Sequence, residues 1–445
     1  MTARRTTQIH CVSTLYGAAT LAAALESGCF AEADRRLLLV FTTSACPETT
    51  VPVDRMPGFE PLRDHFDAVL SFNEAIRPFH PGAWAPRQED LPLFERYVRL
   101  LWGLGEDRVE LVLESLQVNP ALAVAQIFTG APVHVYADGL MSYGPTRNKL
   151  DPLVGTRVRR LLHLELVPGL TPLLLTEFGV PAEVVPGEAF LKVMGELAGA
   201  VEDLPVLPDD CALLLGQYLS ALNIMTPQEE EELHLRMVRG AVARGHRVLV
   251  FKPHPTAPAR YSRALETEAE RLGVELTVLD VPVLAETLFE KSRPALVVGC
   301  FSTALFTASA FYGLPVARIG TEPLLAGLAP YQNSNRVPAV LADALLPDLE
   351  RREGEEPVPA ETLGALIAAI GFTMQPQIHA DLRPAAERYL SQHYSPRTRR
   401  FFKRKRLTAL GLPGGIPQRL SFLPRNSVAR RVLRRAKALG KSLRR

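Results

Sequence analysis

A single histidine stands between two prolines at the point where a run of apolar residues ends. Residues 250–258 have the sequence VFKPHPTAP, in which Pro253 and Pro255 flank His254. Because proline fixes its own φ and pushes the preceding residue toward extended geometry, the backbone around His254 is stiff. An imidazole held at a strand end can donate a hydrogen bond to a phosphate or a proton to a leaving group, and Lys252 adds a nearby cation. A stiff surface turn without chemistry is the alternative interpretation.

Two adjacent hydroxyl residues, Ser302 and Thr303, follow a second apolar run in the segment VVGCFSTALF. They stand where a helix is expected to begin, and free N–H groups and the helix dipole bind phosphate at such a position. Ser and Thr are also preferred helix caps, so ordinary capping is the alternative. The two roles are compatible, because one hydroxyl can cap a helix and also contact a ligand.

Three further residues are candidates for binding a nucleotide. Gly216 and Gln217 end the apolar run CALLLGQ, where a glycine permits close approach of a ligand or simply a tight turn. Glu286, in VPVLAETLF, is predicted to open a short helix. It could accept hydrogen bonds from a ribose or base, or be a surface acid that the helix dipole favours.

One carboxylate in the first half of the chain is placed for base catalysis. Asp138 ends a predicted strand in the segment PVHVYADGLMSYG, and a general base must lie near an acceptor hydroxyl. Asp-Gly is also an ordinary turn sequence. No DxD-like motif stands at a strand end, so we expect protein groups to handle a phosphate, with no metal and no cofactor.

Short apolar strands alternate with helical segments twice along the chain. In the first set, strands are predicted at 8–14, 36–42, 67–72, 108–114 and 132–138, with helices at 17–27, 87–103 and 120–130. In the second set, strands are predicted at 211–217, 246–253, 274–280, 294–300 and 314–320, with helices at 226–244, 259–272, 283–291 and 303–312. This alternation predicts an α/β fold of two doubly wound, Rossmann-like domains, with a ligand cleft between the carboxyl ends of their strands.

Composition sets the domain boundaries and the class of protein. We predict an N-terminal domain at 1–197, an acidic and proline-bearing linker at 198–210, a C-terminal domain at 211–395 and a basic tail at 396–445. The five cysteines are far apart, which favours reduced, cytoplasmic thiols over disulfides or a zinc site. The uncharged run 294–317 is punctuated by glycine and proline, so we interpret it as strand, helix and strand rather than a membrane span.

The tail has an extreme charge. It contains 17 Lys and Arg and no acidic residue, so the rest of the chain has 33 basic and 48 acidic residues. Residues 427–443 can form a basic amphipathic helix, which is typical of a membrane-surface contact. Binding to a polyanion, or a merely solubilising tail, are the alternatives, and no nucleic-acid recognition motif is present. We therefore expect a cytoplasmic protein with peripheral contact to the inner face of an anionic membrane.

Three short motifs together resemble bacterial GT-B sialyltransferases, most closely the α-2,8-polysialyltransferase-like and lipooligosaccharide sialyltransferase-like enzymes. That family has an acidic pair followed by glycine, a His-Pro dipeptide and a Ser/Thr pair. The matching residues here are Ala137-Asp138-Gly139, His254-Pro255 and Ser302-Thr303. The opening CVSTLYGAATLAAAL is also similar to the family's first strand and helix, and the resemblance covers residues 8–320.

The resemblance implies an inverting, metal-independent transfer of sialic acid, or a related nonulosonic acid, from a CMP-sugar to a glycan hydroxyl. Asp138 would accept the acceptor's proton in the N-terminal domain, and the sugar would pass through an oxocarbenium-like state. His254 would stabilise and protonate the departing phosphate. The C-terminal domain would bind the donor through a further set of residues: Gly216, Gln217, Lys252, Pro255, Glu286, Ser302 and Thr303.

The chain departs from the family at Ala137, where the first acid of the pair is expected. If the second acid is the base, Asp138 retains the function. Two alternatives therefore stay open. One is a GT-B enzyme that uses another activated sugar, such as CMP-Kdo or a UDP-sugar, including a 2-epimerase. The other is a catalytically silent protein that binds a sugar nucleotide or a glycan.

Overall fold

A computed structural model of the chain describes residues 4–137, 139–254, 260–351 and 356–416. Two of the predicted site residues, Asp138 and Pro255, lie outside the described residues, as does the predicted helix 427–443. Their roles stay predictions. The other site residues are all described.

The first half of the chain forms a seven-stranded parallel sheet with the order β3-β2-β1-β4-β5-β6-β7. The strands are β1 Thr6–Val12, β2 Arg35–Val40, β3 Ala68–Ser71, β4 Arg108–Glu114, β5 Val133–Ala137, β6 Val158–Leu164 and β7 Ala182–Val185. The strand order reverses direction between β1 and β4. Doubly wound sheets open a crevice for ligands at such a point. The strands are largely apolar because helices cover both faces of the sheet.

Helices pack against both faces of this sheet. The bounds are α1 Leu15–Glu26, α2 Glu60–Arg63, α3 Phe72–Ile76, α4 Leu91–Leu101, α5 Ala121–Ile127, α6 Pro152–Gly155 and α7 Gly187–Ala200. Helix α1 is buried from Leu15 to Ala24, because its alanines let it lie close to the sheet and to α7. Thr14 caps it, accepting a hydrogen bond of 2.9 Å from the backbone N–H of Gly17.

The second half forms a five-stranded parallel sheet with the order β10-β9-β8-β11-β12. The strands are β8 Ala212–Leu215, β9 Val248–Lys252, β10 Glu275–Val278, β11 Leu296–Gly299 and β12 Val316–Arg318. The helices are α8 Pro227–Ala243, α9 Arg260–Leu272, α10 Ala285–Lys291, α11 Thr303–Ala310, α12 Thr321–Gly327, α13 Arg336–Leu345, α14 Ala360–Met374, α15 Arg383–His393 and α16 Arg404–Leu410. The predicted α/β fold of two Rossmann-like halves is confirmed.

The connection between the halves begins later than the composition predicts. Helix α7 continues to Ala200, so it includes the first three residues of the predicted linker 198–210. Leu204 and Leu207 of this connection are buried, and the backbone N–H of Leu207 donates to the Ser292 hydroxyl at 2.8 Å. The connecting segment is therefore packed along the second half.

The uncharged run 294–317 forms β11, α11 and most of β12, as predicted. Among the helices of the described residues, none combines the length and the apolar character that crossing a membrane requires. Gly299 ends β11, and Gly313 and Pro315 lie in the connection between α11 and β12.

The predicted boundary at 395 does not coincide with the end of the folded chain. Phe401, Phe402 and Leu407 are buried, and three of the cations near them have partners within the folded chain. The Arg400 Nε lies 2.6 Å from a carboxylate oxygen of the fully buried Asp343. Two more cations donate to backbone carbonyls near helix ends. Lys403 Nζ donates to the Leu328 carbonyl at 2.5 Å, and Arg406 Nε donates to the Thr373 carbonyl at 2.7 Å.

Replacing Arg400 by alanine is expected to destabilise the protein by about 3 kcal/mol, because it leaves Asp343 short of a partner in a buried site. Arg399 is the matched control, since it is the neighbouring arginine and is exposed. Arg399→Ala should leave the free energy of unfolding unchanged. Urea unfolding of both variants measures the difference, and equal midpoints would contradict the assignment of 396–416 to the folded body.

Candidate active site

The loop that follows β5 lies directly against the start of α11 in the other half of the chain. A Cβ atom added to Gly139 would lie 2.8 Å from the Thr303 hydroxyl oxygen. The φ of Gly139 is −177°, an extended value open to any residue, so space rather than backbone conformation favours glycine here. Further along the same loop, a Cβ on Gly144 would lie 3.1 Å from the Val337 side chain. The structure therefore brings Gly139 of the first half against Thr303 of the second.

His254 is half-buried and packs against an aromatic ring in a tilted arrangement. Its imidazole centroid lies 3.9 Å from that of Tyr218, with 35° between the planes. Loss of water and the nearby Lys252 cation lower the pKa of His254 to about 4, although the Glu230 carboxylate acts in the opposite direction. The imidazole is therefore neutral at pH 7 and offers one N–H donor.

Lys252 and Glu286 form a buried pair of ionisable groups. Lys252 is 8% exposed, and its Nζ donates to the Val281 carbonyl at 3.3 Å. Burial lowers its pKa, partly offset by Glu286 and Asp280. Glu286 is 3% exposed. Burial raises its pKa to about 7, while its own backbone N–H, Lys252 and a hydrogen bond with Thr307 act to lower it. This burial excludes the interpretation of Glu286 as a surface acid.

Gly216 allows the two strands that end at the site to approach closely. Its N–H donates to the Lys252 carbonyl at 2.9 Å, and a Cβ there would lie 2.9 Å from the Phe251 ring and 3.2 Å from the Pro253 Cα. The next residue, Gln217, donates its backbone N–H to the His234 imidazole at 3.4 Å. The buried side-chain oxygen of Gln217 has no hydrogen-bond partner among the described residues.

Ser302 caps α11, because its hydroxyl accepts a hydrogen bond of 3.3 Å from the backbone N–H of Ala304. The capping interpretation is therefore confirmed, and Thr303 beside it is half-buried. Further along α11, the Thr307 hydroxyl lies 3.2 Å from the Tyr16 hydroxyl of α1. The helix that begins with the Ser-Thr pair is thus also a contact between the two halves.

Sequence reasoning missed three residues that lie at these strand ends or contact the segments that follow them. Glu114, the last residue of β4, accepts hydrogen bonds of 2.8 Å from both the backbone N–H and the hydroxyl of Ser13. The fully buried Glu230 accepts from the backbone N–H of Leu219 at 2.5 Å. Tyr218 stacks on His254. A polar residue directly after an apolar strand was the available indication for Glu114 and Tyr218, whereas Glu230 lies within a glutamate-rich helix.

The departure at Ala137 has a local explanation in packing. Ala137 is half-buried against the apolar cluster formed with α4 and α5, whereas Tyr136 packs into the cluster on the other face of the sheet. Successive residues of a strand point to opposite faces. A carboxylate at 137 would therefore face apolar side chains, which favours alanine there.

Two doubly wound domains whose polar strand ends meet at one interface define the GT-B class of glycosyltransferases. The family model described as Alpha-2,8-polysialyltransferase (POLYST) matches residues 8–321. The chain therefore belongs to this family of glycosyltransferases, whose reaction is sialyl transfer. The predicted family and the prediction of an enzyme are confirmed.

Solved structures resemble the chain only distantly. A sialyltransferase from Photobacterium damselae has 11% identity and a TM-score of 0.40, with 75% of this chain and 95% of that chain covered. The MnaA–UDP complex of S. aureus has 12% identity and a TM-score of 0.42, with 85% and 98% covered. A comparison with curated protein sequences finds no match.

Glu286→Gln is expected to change how stability depends on pH. The folded-state pKa of Glu286, about 7, lies above the ordinary value of 4.5, so the folded protein retains a proton that the unfolded chain has released. Between those two pH values, wild-type stability therefore falls by up to about 1.4 kcal/mol per pH unit through this group. Glutamine cannot ionise, so the variant should gain stability relative to wild type from pH 5 to 7.

Urea unfolding at pH 5, 6, 7 and 8 tests this expectation. The control is Glu361→Gln, which removes one charge from an exposed position in the first turn of α14. Its stability difference from wild type should stay level with pH. A level difference for Glu286→Gln as well would show that the Glu286 carboxyl is not held in its protonated form.

Proposed function

We propose that the protein is an inverting, metal-independent sialyltransferase that moves sialic acid, or a related nonulosonic acid, from a CMP-sugar to a glycan hydroxyl. The observation that carries the proposal is the contact of Gly139 with Thr303, because it joins the acceptor-side loop to a phosphate-type helix start. Membership of the polysialyltransferase family supports the same reaction.

The donor phosphate would bind at the start of α11. The first backbone N–H groups of a helix lack partners within the helix, and its dipole favours an anion. Ser302 and Thr303 stand at this end, with hydroxyls that can donate to phosphate oxygens. Lys252 adds positive potential from its buried position, where Val281 holds its Nζ. Gly216, Gln217, Pro255 and Glu286 would hold the nucleotide.

His254 would act on the departing phosphate in two stages. In the free protein its low pKa makes it a neutral hydrogen-bond donor. A bound phosphate brings negative charge to the ring, which favours the imidazolium and raises the pKa of His254. The ring could then protonate the CMP as it leaves, which is the role of a general acid.

Asp138 would remove the proton from the acceptor hydroxyl, and this role rests on the motif and on the position of its neighbour Gly139. The nearby Glu114 carboxylate is engaged with Ser13 at the turn between β1 and α1. We therefore assign Glu114 to holding the start of α1 and Asp138 to the chemistry. Without the first acid of the pair, Asp138 alone would serve as the base.

The acceptor in this proposal is a glycan or glycolipid, and no nucleic acid takes part. A cytoplasmic location with peripheral contact to an anionic inner membrane surface remains part of the proposal. The proposed contact segment stays residues 396–445, and within it Arg400, Lys403 and Arg406 have partners in the folded body, so the other cations would make the contact.

Calorimetry with CMP and with UDP, without added metal, tests the donor site. Wild type should bind CMP in preference to UDP. His254→Ala should weaken CMP binding roughly tenfold or more, because it removes a hydrogen bond to a charged phosphate. UDP preference would favour an enzyme of UDP-sugars, and CMP binding that is indifferent to His254 would overturn the assigned role of this residue.

Transfer from CMP-sialic acid to an oligosialic acid acceptor tests the chemistry. Asp138→Asn should bind CMP like wild type, yet its kcat should fall by about 10²- to 10⁴-fold because the general base is lost. Glu361→Gln, with its exposed carboxylate on α14, is the control for charge loss. Donor binding by the wild type with no turnover on any glycan would instead favour a silent binding protein.

A further inference from the structure

The stack of Tyr218 on His254 joins residues that follow two neighbouring strands. Strands β8 and β9 are paired in parallel, with Leu215 opposite Lys252. Tyr218 comes three residues after the end of β8, and His254 comes two residues after the end of β9. The centroids of their rings lie 3.9 Å apart. The missing side chain of Gly216 permits this approach. The N–H of Gly216 donates to the Lys252 carbonyl at 2.9 Å and joins the two strand ends.

Buried polar side chains fix the backbone on both sides of Tyr218. On one side of it, the Gln217 backbone N–H binds His234 at 3.4 Å. On the other side, the backbone N–H groups of Leu219 and Ser220 bind the Glu230 carboxylate at 2.5 and 3.1 Å. Both His234 and Glu230 lie on α8 and are buried. The short loop that presents the Tyr218 ring is therefore anchored to one well-packed helix.

The prolines around His254 restrict its backbone but not its ring. The χ2 torsion of histidine is broad, so an aromatic ring packed against the imidazole narrows its rotation about the Cβ–Cγ bond. A planar ring against one face of the imidazole leaves two orientations in that plane and removes the intermediate ones. Aromatic pairs at this separation are attractive beyond simple burial.

We infer that Tyr218 is a positioning residue for His254, whose ring it holds in the plane from which a ring nitrogen meets the phosphate of the donor. The inference rests on the proposed function. It assigns the effect to the Tyr218 ring and not to its hydroxyl. Among the described residues, the charged groups that act on the His254 ring are Lys252 on β9 and Glu230 on α8, and the titratable Tyr218 contacts the ring itself.

Two substitutions separate the ring from the hydroxyl. Tyr218→Phe keeps the ring and should keep kcat within about twofold of wild type. Tyr218→Leu removes the ring and should lower kcat by roughly 10- to 100-fold, as small misplacements of a catalytic group do. The KM for the CMP-sugar should change less than kcat. Tyr97→Leu is the control, because Tyr97 lies on α4, outside the proposed site, and should leave kcat unchanged.

Nuclear magnetic resonance of the histidine ring protons provides a readout independent of activity. The His254 signal, identified by its loss in His254→Gln, should move downfield in Tyr218→Leu because the ring current of the stacked tyrosine is gone. It should stay shifted in Tyr218→Phe. Tyr218→Met, with a longer and more adaptable side chain than leucine, replaces Tyr218→Leu if thermal unfolding shows that the leucine variant does not fold.

The outcomes distinguish the inference from the function on which it rests. A leucine variant with wild-type kcat and an unmoved His254 signal would overturn the inference. A phenylalanine variant as slow as the leucine variant would also overturn it, since the hydroxyl would then carry the effect. Failure of the wild type to bind CMP would count against the proposed function, while the His254 signal would still report on the stack.

Discussion

The close approach of Gly139 to Thr303 is the contact on which the arrangement of the site depends. All strands in both sheets are parallel, so the loops after the strands of each half gather at one edge. Those two edges become one site only where a loop of the first half reaches the second. At 2.8 Å from a hypothetical Cβ to the Thr303 hydroxyl, only a residue without a side chain fits there without displacement.

Helix α11 contains the proposed donor site and also a contact between the two halves. Its first turn, capped by Ser302, is the proposed phosphate end. One turn later Thr307 meets Tyr16 of α1, and the Phe311 ring after the helix lies 5.8 Å from the Phe190 ring of α7. Because a helix moves as a rigid unit over this length, an anion bound at Ser302 would bear on the same interface that Thr307 forms. Binding of a donor and packing of the two halves are therefore expected to be linked.

Sequence patterns predicted the elements whose strands are long and apolar, and missed those whose pattern is weak. Strand β6 contains Arg159 and Arg160, and β7 is only four residues long with Glu183 exposed, so neither resembles a buried strand. The positions of Gly216, His254 and Ser302 at strand ends followed from apolar runs. Counting charges could not show that Arg400 faces Asp343, because the partner is distant in sequence. The same limit hid the stacking of Tyr218 and the anchoring by Glu230.

The site is polar but carries little fixed positive charge where the phosphate would bind. The low pKa of His254 leaves that ring neutral, and the nearby cation Lys252 is buried with its Nζ directed to the Val281 carbonyl. Stabilisation of the leaving phosphate would then come mainly from oriented dipoles: the α11 N-terminus, the Ser302 and Thr303 hydroxyls and one imidazole N–H. Such groups are already in place before negative charge develops, so they need no reorganisation during the reaction. Stabilisation by fixed dipoles depends on their orientation. This explains why prolines, a glycine and an aromatic ring all restrict the segment around one histidine.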